Sequence, residues 1–456
     1  MNNATIFSKT SRIGFHYFPD TLHYTDGDVS IWVPELKKIG ASWITLIAPL
    51  YRAIPEQFIS ALKESAIEPI IHFITPVDLK SDHESLKLLF RNYARWGVRY
   101  ISIFDRPNNR HSWTAPSWAQ TNLVERFLDS FIPLANDMIE EGLTPVFPPL
   151  QPGGDFWDTA FLRTALEGIQ RRGQEVLVDH MAIGAYAVAG NRPIDWGMGG
   201  PERWPDARPY DTPPGVQDQI GFRIFEWYSA ISEDVIGRTL PILLLRAGYR
   251  PGDRVDLTWP AVNEEAHATR NMEIVELLSE NFSANRKESS IPHEVLACNF
   301  WLISANTKSQ YQRHAWFKED SSQLPIVEQM RRWVAGHSIQ NDAKDYQGEP
   351  IGSEMKFKPS VIGANGNSNN GSGKISHYIL LPLYSWGVAD WDLDLILPLV
   401  QENHPTIGFS LSEACLASHV TIVGSNNTFS EESIKMLQDA GCSVDRMGED
   451  GIIFAS

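Results

Sequence analysis

The chain has 456 residues, 43% of them hydrophobic and 21% charged, which is material for a sizeable packed core and excludes disordered, collagen-like or solenoid composition. Thirty-nine basic against 56 acidic side chains leave a formal charge of -17, so no overall field holds a phosphate backbone, and nucleic acid is excluded as the main partner. Three scattered cysteines, Cys298, Cys415 and Cys442, form no CxxC pair and give neither a disulfide framework nor a redox motif.

In chain order, short β-type runs fall at 13–18, 43–48, 69–73, 99–104, 144–148, 182–187, 241–245 and 296–303. Between them, apolar residues return at three- and four-residue spacing and predict helices, for example at 55–65, 117–142, 157–172, 218–236 and 263–281. Runs such as PILLL at 241–245 show no polar alternation, as expected of parallel strands covered on both faces. The predicted fold is α/β: a (β/α)8 TIM barrel over 10–340, with an open doubly wound sheet as the alternative. A linker or flexible loop is expected at 341–374, where GANGNSNNGSGK stands, and a small α/β domain at 375–456. The amino end, MNNATIFSKTSR, lacks the apolar run of a signal peptide, and no stretch approaches the roughly 18 apolar residues of a membrane span. These features predict a soluble, cytoplasmic protein unless a leader has been removed; they leave the oligomeric state open.

The strand carboxyl ends of such a barrel form its active face. The first contributes His16, Tyr17 and Asp20, the third His72, the fourth FDRPNNRHSW from Phe104, and the fifth FPPLQPGGDFWD from Phe147. The sixth continues as GAYAVAGNRPIDW from Gly184, the seventh as RAGYRPGD from Arg246, and the eighth as NFWLISAN from Asn299. One face thereby gathers Trp113, Trp157, Trp196, Trp301, Tyr17, Tyr186 and Tyr249 with Asp105, Asp155, Asp195, Asn108, Asn191 and Asn299. Flat rings among hydrogen-bonding groups suit a sugar, so the expected partner is a glycan or small carbohydrate.

The eight-strand pattern and these endings resemble the large clan of (β/α)8-barrel glycoside hydrolases, nearest its xylosidase and iduronidase-like branch. The resemblance implies an acid/base Glu after strand 4 in a motif like NEPN, and a nucleophile Glu ending strand 7 in one like TEAG. Here strand 4 reads IFDRPN and strand 7 reads LLRAGY, so the motif Asn is Asp105, the acid/base position is Arg106 and the nucleophile position is Arg246. A guanidinium can neither protonate a leaving oxygen nor attack an anomeric carbon.

Three readings stand. In the first, Asp105 works with Asp155, Asp158 or Asp195 as a relocated acid/base pair, about 6.5–9.5 Å apart if inverting. In the second, the cleft binds glycan without cutting it, and Arg106 and Arg246 favour an acidic sugar. In the third, both arginines pair with Asp105 and Asp253 as structural ion pairs. The candidate catalytic residues are thus Asp105, Asp155 and Asp195. The candidate binding residues are His16, Tyr17, His72, Arg106, Asn108, Trp157, Tyr186, Arg246, Tyr249, Asn299 and Trp301. His16 and His72 lack a carboxylate or Cys at ligand spacing, HExxH is absent, and no Gly-rich piece has the order of a phosphate loop; neither metal nor cofactor is expected. The segment Gly408 to Gly451 weakly resembles a repeated cell-wall-binding domain of bacterial surface proteins. Thr428 and Ser430 are expected to cap the helix that follows.

Overall fold

Eight parallel strands close into a barrel in the computed structural model, which describes residues 11–78, 83–279, 290–345, 375–382, 395–396, 399–400, 405–408, 411–423, 429, 431–447 and 453–455. They are β1 (Ile13–His16), β2 (Trp43–Ala48), β3 (Glu68–Phe73), β4 (Tyr100–Ile103), β5 (Thr144–Phe147), β6 (Ala182–Val188), β7 (Ile242–Gly248) and β8 (Val295–Phe300). Closure is made by β1 against β8, with Gly14 opposite Asn299 and Phe15 opposite Phe300. The open-sheet alternative is therefore set aside.

Each strand is followed by a helix: α1 (Asp26–Lys38), α2 (Glu56–Glu64), α3 (His83–Arg95), α4 (Leu123–Glu140), α5 (Asp158–Arg171), α6 (Ile224–Ile236), α7 (Glu264–Leu278) and α8 (Pro325–Asp345). Local chemistry sets their ends. Thr25 and Asp28 form a reciprocal capping box at the start of α1, and the Asn263 side chain accepts from the Ala266 amide at the start of α7. The helix predicted at 117–142 is broken: α4 starts only at Leu123, because Asn122 takes φ 59°.

Alternation along the strands sorts side chains into two sets. Phe15, Ile44, Leu46, Ile71, Phe73, Ile101, Ile103 and Leu244 pack outward against the helices. Trp43, Ile70, Val146, Ala182, Tyr186, Leu243, Leu245 and Ala297 form a separate cluster inside the barrel. Two residues further along their strands, the inward positions turn polar: Thr45 follows Trp43, His72 follows Ile70, Ser102 follows Tyr100, and Asn299 follows Ala297. An apolar plug thus lies beneath a polar layer at the C-terminal end. Gly14 leaves no room for a side chain in this wall, because an added Cβ would stand 2.4 Å from Asn299 Oδ1 and 2.9 Å from the Trp43 carbonyl. Gly14→Ala is expected to cost about 1–3 kcal/mol, seen as a lowered thermal midpoint.

One departure from alternation matters. In β7, Leu243 and Leu245 face inward and Leu244 and Ala247 outward, while the register against β6 passes from Leu244 opposite Ala185 to Arg246 opposite Tyr186. The extra residue is a β-bulge, and it places Leu245 and Arg246 consecutively on the inside.

The chain divides into two compact units, Met1–Ile351 and Gly352–Ser456. In the second, β9 (Ile375–Leu380), β10 (Thr406–Gly408), β11 (Ala417–Val423), β12 (Ser443–Met447) and β13 (Ile453–Ala455) form a sheet in the order β10-β9-β11-β12-β13. It is parallel except for β13, which runs antiparallel to β12 and has no counterpart in the sequence reading. Tyr378, Leu380, Val420, Ile422 and Val444 pack one face, together with Leu437 of the helix Glu431–Asp439. Most of the linker expected at 341–374 and the caps Thr428 and Ser430 lie outside the described residues.

Candidate functional site

The mouth is built from the strand ends. Asp105 follows β4 on a turn in which Phe104 and Arg106 take φ 75° and 49°, a left-handed backbone that costs non-glycine residues roughly 1–3 kcal/mol each. Hydrogen bonds hold that turn: the Arg106 amide donates to the Pro149 carbonyl at 2.9 Å, and Ser112 Oγ donates to the Asp105 carbonyl at 2.5 Å. Asp105 is itself 4% exposed. Its Oδ1 accepts from the Tyr186 hydroxyl at 2.5 Å and its Oδ2 from Arg106 Nε at 2.9 Å.

Arg246 completes the cluster. Its guanidinium lies 4.6 Å from the Tyr186 ring centroid and 4.5 Å from that of Trp301, a cation held between two aromatic faces. Its Nε is buried and has no hydrogen-bond partner. Burial pushes the Asp105 carboxyl up, but Arg246 foremost, then His72, Arg106 and the Tyr186 hydroxyl, hold it below the usual carboxylate range. Burial keeps the Tyr186 phenol protonated by raising it well above its ordinary value.

His16 and His72 close the floor, both fully buried. Burial, reinforced by Arg246, keeps His16 well below the ordinary imidazole range; burial lowers His72 as well. His72 Nε2 lies 2.8 Å from the Phe104 carbonyl, which can only accept, so this nitrogen carries the proton and Nδ1 presents a lone pair. His72 Nδ1, both His16 nitrogens, Thr45 Oγ1, Ser102 Oγ and Asn299 Oδ1 are buried without partners. Trp301 stands 4.5 Å from the His16 ring and donates from Nε1 to His314 Nδ1 at 3.3 Å.

No family model matches the sequence, and no curated protein matches it. Among solved structures, the chain aligns with a family 39 glycoside hydrolase from the gut symbiont Bacteroides cellulosilyticus WH2, at 13% identity and a TM-score of 0.46, over 70% of this chain and 62% of that one. It also aligns with a family 128 endo-β-1,3-glucanase from Sorangium cellulosum, at 14% identity and a TM-score of 0.39, over 70% of this chain and 97% of the other. A β-glucuronidase from Ruminococcus gnavus aligns at 12% identity and a TM-score of 0.38, over 71% of this chain and 49% of its own. These structural neighbours are glycoside hydrolases. In the first and third cases the match spans less than two thirds of the neighbour's length. The likeness is one of fold, and what the mouth can do follows from its own residues.

The structure brings together Asp105, Arg106, Tyr186, Arg246, Trp301, His16 and His72. It gives the other sequence candidates different surroundings. Asp155 is bound to Arg110, whose amide and Nε reach its carboxylate at 2.9 and 3.1 Å. Asp195 is exposed on the loop after β6. Asp158 is fully buried and accepts from the Gly153 amide, Gln219 and Tyr228, which makes it a loop anchor. Asp253 pairs with Arg250, so the expected Arg246–Asp253 pair is replaced by a contact three residues away.

Asn108 is a buried clamp on the loop after β5, bonded to both the amide and the carbonyl of Gln151 and to the Phe156 carbonyl. Asn299 donates to the Leu244 carbonyl at 3.0 Å. Tyr17 packs among Phe18, Tyr24 and Phe58 on the helix side of the wall, because the residue after an inward His16 must point outward. Tyr249 donates to the Arg192 carbonyl and lines a separate cavity. Trp157 stays at the rim against the exposed ring of Tyr210, centroids 5.5 Å apart. Sequence reasoning missed Thr45, Ser102 and His314. The first two carry a signal, standing two residues after the bulky inward Trp43 and Tyr100; His314 comes from the long segment after β8 and carries none.

Among the described residues, no three His, Cys, Asp or Glu side chains gather in a way that could hold a metal ion, and no helix is long and apolar enough to cross a membrane.

Proposed function

We propose that the barrel mouth binds a carboxylate-bearing saccharide and does not cleave it through a pair of carboxyl groups. The observation that carries this reading is Arg246: a guanidinium fixed between two rings, with a buried Nε that has no partner and, among the described residues, no ion pair of its own. Two guanidiniums, Arg106 and Arg246, face one carboxylate, Asp105, while the two imidazoles are held neutral by burial. The cluster therefore carries one net positive charge, which a single ligand carboxylate balances. A planar fork of N–H donors matches a carboxylate better than it matches a neutral hydroxyl. The Trp157 and Tyr210 pair at the rim offers an aromatic face of the kind that packs on a pyranose ring.

Against hydrolysis stands the state of Asp105. It is ionised, buried and already bonded to Tyr186 and Arg106, so it has no proton to give a leaving oxygen. Its proposed carboxylate partners are engaged elsewhere or exposed. Calorimetry with uronate-containing oligosaccharides and their neutral counterparts tests the reading. The acidic series is expected to bind at least tenfold tighter, Arg246→Leu to remove that preference, and prolonged incubation to release no new reducing ends. Equal affinity for both series, or release of reducing ends, refutes it.

A further inference from the structure

We propose a second saccharide site on the barrel, separate from the mouth, where Trp259 borders a cavity of about 540 Å3 and which takes a neutral pyranose unit of a longer glycan. The cavity lies between the loops after β6 and β7 and one face of α7. Its size falls within the roughly 300–1,000 Å3 of small-molecule sites.

The site is built. Asn191, fully buried, donates to the carbonyls of Asp256, Trp259 and Pro260 at 2.7, 2.9 and 3.3 Å and accepts from the amides of Val255 and Asp256 at 3.0 and 2.9 Å. One side chain thus fixes the loop that carries Trp259. A loop so anchored nevertheless leaves Trp259 37% exposed at the border of a hollow. Tyr249 also lines the cavity and is itself buried; the Arg270 guanidinium lies 5.1 Å from its ring centroid, and Arg270 donates to the Asn191 carbonyl at 3.3 Å.

On α7 the residues Ala266, Thr269, Arg270 and Glu273 share one helical face and line the cavity, while His267, Asn271, Ile274 and Val275 turn into the core. An indole, a hydroxyl, a guanidinium and carboxylates lining one hollow together match a ring that is apolar on its faces and hydroxylated at its edge. Charge sets the class of sugar. The lining carries one guanidinium, Arg270, against two carboxylates, Glu265 and Glu273, so the cavity is net negative and disfavours the acidic sugar proposed for the mouth.

Affinity electrophoresis in gels containing soluble neutral β-glucan, xylan or mannan tests the site with the full chain. At least one polysaccharide is expected to retard the protein. Trp259→Ala should weaken that binding at least tenfold and Glu273→Ala at least threefold, with unchanged circular dichroism and thermal midpoint. If Trp259→Ala proves misfolded, Trp259→Phe and Glu273→Ala carry the test. Retardation by none of the three polysaccharides, retardation unchanged in the Trp259 and Glu273 variants, or retardation lost in Arg246→Leu alone overturns the proposal. So does binding of an apolar dye at the cavity with no polysaccharide bound. Loss of uronate preference in Arg246→Leu reports on the mouth alone, so the two readings fail separately.

Discussion

Asp105→Ala is expected to destabilise the barrel by about 3 kcal/mol, measured as a lowered midpoint of urea-induced unfolding. The carboxylate is 4% exposed and answers a buried phenol and two guanidiniums. Its removal strands the Tyr186 hydroxyl and leaves Arg246 and Arg106 without a counter-charge. The cost stays near the low end for a broken buried pair because the Arg106 side chain is 41% exposed and can turn to water. Asp105→Asn keeps an acceptor for Tyr186 and loses only the charge, so it should fall between the parent and the alanine variant. An alanine variant as stable as the parent would show that the cluster does not act as a unit.

Acid is expected to unfold the barrel from pH 6 downward. His267 on α7 is fully buried and has no partner on either ring nitrogen; burial, with His314 nearby, pushes it down to about 3. Its folded pKa is below its unfolded one, so its contribution to stability is whole above about pH 6.5 and declines as the pH falls toward 3. From pH 7 to pH 5 that loss is about 2 kcal/mol for His267 alone. His16, His72 and His314 are lowered as well and act in the same direction. His267→Phe keeps the ring beside Trp316 and removes the group that takes up a proton on unfolding. Urea titrations of parent and variant at pH 5, 6 and 7 should therefore show the variant losing less stability, by about 2 kcal/mol in all between pH 7 and pH 5. Parallel curves would rule out the assignment to His267.

The barrel was legible because parallel strands covered on both faces read as apolar runs, such as Trp43–Ala48 and Ile242–Leu245, spaced by amphipathic helices. The mouth was legible in part. Tyr186 and Asp105 follow from their places at strand ends, but nothing in the letters says that the neighbour of Asp105, Arg106, turns back to bind it through a left-handed backbone. Aromatic and acidic residues on the loops were harder. Whether Asp155 faces a ligand or Arg110, and whether Tyr249 faces the barrel axis or α7, depends on loop conformations set by distant anchors such as Asn108 and Asn191. Tyr17 was avoidable, since alternation admits only one of two consecutive strand residues to the interior. Arg246 is the converse, a residue that strict alternation after Leu243 and Leu245 would have sent outward.

That last point gives the barrel an editable position. Because the backbone of β7, and not the guanidinium, aims residue 246 at the axis, an exchange there changes the cargo and leaves the address in place. A glutamate at 246 would arrive between the same two rings, across from Asp105. Chemistry and architecture are in this respect separable, and the wall is a mounting for side chains other than the one it now holds.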